Sequence, residues 1–325
     1  MATVTLAKAL NEGLRKTMEN DPKVLVMGED VGALGGVFRV TDGLQKDFGE
    51  DRVIDTPLAE SGIIGNAVGL AIRGFRPVCE IQFDGFVFPA FDQIVSQVAK
   101  MHYRSGGHVK LPITIRIPYG GGIGAVEHHS ESPESYFCHT PGLKVVTCSN
   151  PADAYWMIQQ TVANDDPVVF FEPKRRYWDK ADVEMTGTAP MPLWKARVAR
   201  PGNDLTLIAY GPMVKVALDA AAAAAEEGKS IEVIDLRALS PIDWPVVEDS
   251  VRRTGRAVVV AEAPSYASLT SEVAARLQEK LFYSLEAPVL RVTGYNTPFP
   301  PSRVEEDYLP DLDRVLDAVD RSLEA

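Results

Sequence analysis

The sequence predicts an α/β protein: a domain built on a mostly parallel sheet, followed by a smaller α/β domain. Three observations carry this expectation. Short apolar runs alternate with helical patterns: KVLVMG (23–28), RPVCEIQF (76–83), LPITIRIPY (111–119), LKVVTCS (143–149) and DPVVFFEP (166–173). Such runs are apolar on both faces, as strands covered by helices on both sides must be. A Pro/Gly-rich stretch, MTGTAPMPLWKARVARPG (185–202), then precedes a second set of runs, which sets expected domains of 1–190 and 204–325 with a linker at 191–203.

The elements follow in order. Leu6, Leu10, Leu14 and Met18 stand four apart, one face of an amphipathic helix, and Pro22 follows it. KVLVMG is a buried strand. GEDVGALGGVF (28–38) is a Gly-rich loop with two acids at its start, without dinucleotide or Walker spacing. RVIDTP leads through a turn into the helix ESGIIGNAVGLAIRG (60–74). RPVCEIQF is a strand, PAFDQIVSQVAKMHYRSGG a helix with a glycine cap, and LPITIRIPY a strand running into glycines. Asn150 reads as a helix cap before PADAYWMIQQTVAN, and DPVVFFEP closes the first domain. In the second domain DLTLIAYG, SIEVIDLR, RAVVVAEA and APVLRVTG are strands. MVKVALDAAAAAAEEG and SYASLTSEVAARLQEKL are helices, and LDRVLDAVDRSL is a docking helix with one apolar face.

Composition narrows the function. A net charge of −12 over 325 residues argues against nucleic acid or an anionic membrane as the main partner. The three cysteines, Cys79, Cys138 and Cys148, have no zinc-ligand spacing and suit a reducing compartment. The N-terminal stretch lacks the apolar core of a signal peptide, and no segment reaches the roughly 20 apolar residues of a membrane helix. A cytoplasmic protein is expected.

Chemistry-bearing residues cluster after predicted strands: Glu29 and Asp30, Glu60, the glycine–histidine segment 119–130, and Glu172. In open parallel sheets ligands sit beyond the carboxyl ends of the strands, so these groups are expected around one crevice. Glu60 stands at a helix start, where a carboxylate is favoured by the unpaired amides; by spacing alone it is an ordinary helix-start acid. Gly65 and Gly69 after it make a small-residue face, for packing within the chain or for a helix of a partner. YGGGIGAVEHHSESPESYFCH (119–139) carries His128, His129 and His139. A metal site with Glu127, Cys138 and His139 matches no common zinc spacing; acid–base work by one histidine and a structural, hydrogen-bonded role both remain open. The Phe-rich IQFDGFVFPAFDQI (81–94) is mainly core, with room for one ring against a flat heterocycle. No serine-nucleophile elbow or kinase signature is present.

Five long motifs occur in order: VMGEDVG, DTPLAESGIIGNAVGLA, CEIQFDGFVFPAFDQIVSQVAK, GGGIGAVEHHSESPESYFCHTPGLKVV and DDPVVFFEPKRRYW. Together they closely resemble the beta subunit of the decarboxylating first component of 2-oxo acid dehydrogenase complexes. The second domain, from LTLIAYG to TPFPPSRVEE, resembles the transketolase C-terminal domain. HHSESPESYF and FFEPKRRYW look most like the branched-chain 2-oxo acid type, with a pyruvate or acetoin dehydrogenase beta subunit as the alternative.

The resemblance implies thiamine diphosphate bound between two chains, with this chain supplying the aminopyrimidine site. The chain that holds Mg²⁺ and the diphosphate carries a Gly-Asp-Gly motif, which is absent here. An alpha partner, an α₂β₂ heterotetramer and a lipoyl-bearing acyltransferase core are therefore expected. By position, Glu60 matches the acid that exchanges a proton with ring nitrogen N1′ of the aminopyrimidine. Phe86 and Gln82 match its pocket, and Glu29 an acid near the cofactor. His129 matches the histidine on the lipoyl-entry side, a proton donor in acyl transfer. A structural potassium site would use Ile113, Thr161, Asn164 and Asp166. The competing expectation from another class is a non-catalytic docking subunit.

Overall fold

The structure is a computed structural model describing all residues, 1–325. The chain divides into two compact units. The first comprises Met1–Tyr119 and Tyr136–Leu193, and the second Gly120–Ser135 and Trp194–Ala325.

The first unit contains β1 (Ala2–Thr5), β2 (Val24–Gly28), β3 (Val53–Asp55), β4 (Arg76–Glu80), β5 (Thr114–Tyr119), β6 (Lys144–Thr147), β7 (Val168–Pro173) and β8 (Lys180–Val183). Its main strands run parallel in the order β6-β7-β5-β4-β2-β3. β2, β5 and β7 are buried along their whole length, so their residues are apolar on both faces except for Thr114 and for Arg116 and Glu172, which pair with each other. β1 and β8 form a separate antiparallel pair.

The order dictates where a ligand can sit. From β2 the chain crosses to β3 on one side, then returns to β4 on the other. In open parallel sheets ligands bind at such a reversal, here at the carboxyl ends of β2 and β4. The helix Leu6–Asn20 opens with Thr5, whose hydroxyl accepts from the Lys8 N–H, and buries the expected leucine face. Asn150 caps Pro151–Val162 by accepting from the Asp153 N–H at 3.0 Å.

The second unit contains β9 (Arg197–Arg200), β10 (Leu205–Ala209), β11 (Ile231–Asp235), β12 (Ala238–Ser240), β13 (Ala257–Pro264) and β14 (Leu290–Gly294). Its sheet has the order β14-β13-β10-β11-β9, parallel except for β9. Leu207, Val233, Val258 and Val260 pack with the alanine face of helix Met213–Glu226 and with Val315 and Val319 of helix Leu312–Leu323. The alanines at 217, 220, 221 and 224 are thus core residues, small enough for close helix–sheet approach.

Three expectations need correction. Residues 120–135 group with the second unit, because carboxylates of that unit hold the glycine amides at 121, 122 and 124. β9 lies within the expected linker 191–203, as an antiparallel edge strand. The helix expected from Pro89 instead begins as a 3₁₀ turn over Asp84–Ala90 and carries a π segment over Gln93–Val98.

Candidate active site

Four elements of the first unit bring the expected residues together at the switch point. Glu29 and Asp30 follow β2, and Glu60 follows β3 as the first residue of helix Glu60–Ile72. Gln82 follows β4, and Phe86 lies in the next 3₁₀ turn. Glu29 is only 4% exposed, yet neither carboxylate oxygen receives a hydrogen bond. Burial, then the charges of Glu60 and Asp30, raise its pKa to about 7. Its neighbours are organised: the Gln82 amide donates to Asp30 Oδ2 at 3.1 Å. Asp55, at the end of β3, accepts from the N–H of Gly32 (2.6 Å) and so ties down the Gly-rich loop. A side chain at residue 32 would meet Gln45 Nε2 and Asp55 Oδ2, so it would have to displace these side chains.

Phe86 is half-buried and stands edge-on to Phe83, with centroids 5.9 Å apart. Phe83 in turn meets Phe38, and Phe38 meets Tyr177. Beneath this aromatic row lies a buried ion pair, Lys174–Asp84, with the ammonium 5.7 Å from the Phe83 ring centre. The row packs against charge that cannot reach water, which holds it in place.

Glu172 belongs elsewhere. It lies inside β7, fully buried, and takes a two-pronged bond from Arg116 of β5 at 2.6 and 2.9 Å. The third guanidinium nitrogen binds Glu80 of β4, and the Tyr177 hydroxyl donates to Glu172 at 2.7 Å. Burial, opposed by Arg116 and reinforced by the charge of Glu172, raises the Glu80 pKa. The network is structural support across three neighbouring strands, and sequence gave no sign of partners so far apart.

His129 sits in the second unit, in a 3₁₀ turn Glu127–His129. Its Nδ1 lies 2.8 Å from the His128 carbonyl. A carbonyl only accepts, so Nδ1 holds the ring proton and Nε2 is the basic nitrogen. The metal reading of this segment finds no support in its geometry. No group of three or more His, Cys, Asp or Glu side chains is arranged to hold a metal ion.

The four potassium candidates surround the turn after helix Pro151–Val162. The Ile113 carbonyl accepts from Val168 N–H, Asn164 Oδ1 accepts from Asp166 N–H, and Asp166 pairs with Lys144. Arg76 donates to the carbonyls of Val162 and Asn164. Thr161 Oγ1 is buried with no hydrogen-bond partner, the one oxygen of the group that still needs a donor or a hard cation.

Residues 2–179 match the family model described as the transketolase pyrimidine-binding domain, and residues 194–315 the transketolase C-terminal domain. The chain is 62% identical over 321 residues to a protein of Leifsonia xyli named pyruvate dehydrogenase E1 component subunit beta, covering 99% of this chain and 95% of that one. The chain belongs to the family of 2-oxo acid dehydrogenase beta subunits. Another relative, from Mycobacterium tuberculosis, is named 3-methyl-2-oxobutanoate dehydrogenase subunit beta and is 53% identical, covering 99% of this chain and 92% of that one. A Staphylococcus epidermidis pyruvate dehydrogenase beta subunit is 47% identical over the full length of both. Among solved structures, a split-gene transketolase described as an inactive beta4 tetramer superimposes with a TM-score of 0.82 over 99% of this chain and 98% of that one. At 23% identity it shows the shared fold.

Proposed function

We propose that this beta subunit, paired with an alpha subunit in an α₂β₂ heterotetramer, oxidatively decarboxylates a 2-oxo acid and passes the acyl group to a lipoyl arm. The observation that carries the reading is the buried carboxyl of Glu29, without hydrogen bonds and beside Glu60, at the switch point of the parallel sheet. Two adjacent acids of which one stays protonated near neutrality are suited to holding and moving a proton at a bound ring nitrogen.

Thiamine diphosphate fits this site; when bound, it supplies the carbon nucleophile and the electron sink for decarboxylation. Glu60 would hold the proton at the aminopyrimidine nitrogen N1′. Phe86 would lie against the ring, and Gln82 would line the pocket through its bond to Asp30. Glu29 would set the proton balance of Glu60 by its own charge state. Mg²⁺ and the diphosphate are assigned to the alpha chain. His129 would donate a proton during acyl transfer through Nε2. Potassium at the turn near Thr161 would be held by oxygen alone, as a hard cation prefers.

The substrate reading is a branched-chain 2-oxo acid, supported by HHSESPESYF and FFEPKRRYW and by the name of the mycobacterial relative. The name of the Leifsonia relative favours pyruvate as the second reading. Assay of the assembled tetramer with 3-methyl-2-oxobutanoate and with pyruvate decides between them. A higher kcat/KM for the former is expected; preference for pyruvate overturns the branched-chain assignment. No helix is long and apolar enough to cross a membrane, and the reaction is assigned to the cytoplasm.

A further inference from the structure

The segment Gly120–Glu131 closes on itself, with the Gly120 N–H donating to the Glu131 carbonyl at 2.9 Å. Gly120, Gly122 and Gly124 have φ of +82°, +84° and +69°, left-handed conformations that only glycine adopts without strain. The N–H groups of the loop turn onto two buried carboxylates. Gly121 donates to Glu262, while Gly122 and Gly124 donate to the two oxygens of Glu305 at 2.6 and 2.9 Å. Glu262 is 3% exposed and Glu305 is 4% exposed. Successive amides converging on an anion make a nest, and here the anion is supplied by the same unit. Bonds to an ionised carboxylate are about twice as strong as neutral ones, so the clamp is firm.

The clamp is itself seated. Glu305 opens the short helix Glu305–Tyr308, whose Tyr308 packs with Phe299 and Leu309 in a small apolar cluster. A side chain at residue 121 would strike the Phe299 ring, so the loop lies directly on that cluster. Beyond the clamped glycines the loop ends in the turn that carries His129. There His129 N–H and the Ser130 hydroxyl both bond the Val126 carbonyl at 3.0 Å. The loop is therefore fixed at its glycine end by Glu305 and at its base by Gly120–Glu131, and His129 stands between them.

We propose that Glu305 is a positioning residue for acyl transfer: by holding the amides of Gly122 and Gly124 it fixes the loop that presents His129. This rests on the role of His129 given above. Small displacements of an acid–base group cost up to about a hundredfold in rate.

The test uses the tetramer assembled with its alpha subunit, a 2-oxo acid, and an isolated lipoyl domain as acceptor. For Glu305→Ala, kcat for lipoyl acylation should fall about ten- to a hundredfold, while decarboxylation read with an artificial electron acceptor is unchanged. Glu305→Gln, which retains one carbonyl acceptor, should recover part of the loss. Hydrogen exchange at Gly122 and Gly124 should quicken in both variants. In a His129→Ala background, Glu305→Ala should add no further loss. A normal acylation rate in Glu305→Ala beside a slow His129→Ala overturns the clamp alone. Full additivity of the two losses also overturns it, because Glu305 would then act by another route. A normal acylation rate in His129→Ala overturns the role of His129 and the positioning proposal with it.

Discussion

Glu29, just after β2, and Glu60, the first residue of helix Glu60–Ile72, stand near enough for the charge of Glu60 to oppose the ionisation of Glu29. Burial and the charge of Glu60 hold the Glu29 proton until about pH 7. The buried member receives no hydrogen bond from the chain, so its ionisation is opposed by both solvent loss and repulsion.

Stability should therefore fall as pH rises through this window. The folded-state pKa lies above the ordinary glutamate value of about 4.5, so the folded protein binds more protons than the unfolded chain between about 4.5 and 7. The stabilisation is fully present below the unfolded pKa and is lost as pH rises through the folded value. Glu134, fully buried and bonded to the Tyr210 hydroxyl, shifts to the same value through burial and adds the same sign. Glu29→Gln should melt higher than the parent at pH 8, with the difference shrinking at pH 5. An equal difference at both values would show that Glu29 does not titrate there.

Arg116 is the cation on which Glu80 and Glu172 both depend. Arg116→Met leaves two buried carboxylates without a partner and should cost about 3–5 kcal/mol in urea denaturation. Arg116→Met with Glu172→Gln should regain part of that loss. A loss for Arg116→Met below about 1 kcal/mol would mean that the network carries little of the fold.

Phe86 is proposed to lie against the aminopyrimidine ring. Phe86→Ala should weaken thiamine diphosphate binding by the assembled enzyme about three- to tenfold, the range of one aromatic contact. Phe86→Tyr should bind normally. Unchanged affinity in Phe86→Ala would remove Phe86 from the cofactor pocket.

The Thr161 hydroxyl lacks a donor next to a turn rich in carbonyls. Melting temperature should be higher in potassium than in sodium at equal ionic strength. Thr161→Val should abolish the difference. Equal melting of the parent in both salts would exclude a potassium site here.

Much of the fold was legible because it is local. Apolar runs gave β2, β4, β5, β6 and β7, the leucine spacing gave Leu6–Asn20, and Asn150 marked its helix start. The helix Trp244–Thr254 escaped because Ser250 and Thr254 stand on its buried face, tied to Thr206 rather than showing an apolar stripe. Glu172 was misread as a crevice acid because its partner Arg116 lies 56 residues away and its role exists only across the sheet. Glu262 and Glu305 carry no motif: their task is to receive amides of glycines more than a hundred residues earlier in the chain. In the candidate site, resemblance supplied Glu60, Phe86 and Gln82. The structure adds what holds them, namely Asp55 on the loop, Asp30 on Gln82, and Lys174–Asp84 under the aromatic row.

We propose Glu60 as the proton-holding acid of the cofactor site. Glu60→Gln keeps shape and removes the exchangeable acid. Decarboxylation by the assembled tetramer, followed as CO₂ release with saturating cofactor, should fall about 10²- to 10⁴-fold with assembly with the alpha chain unchanged. A variant that assembles and decarboxylates at the parent rate would contradict the account.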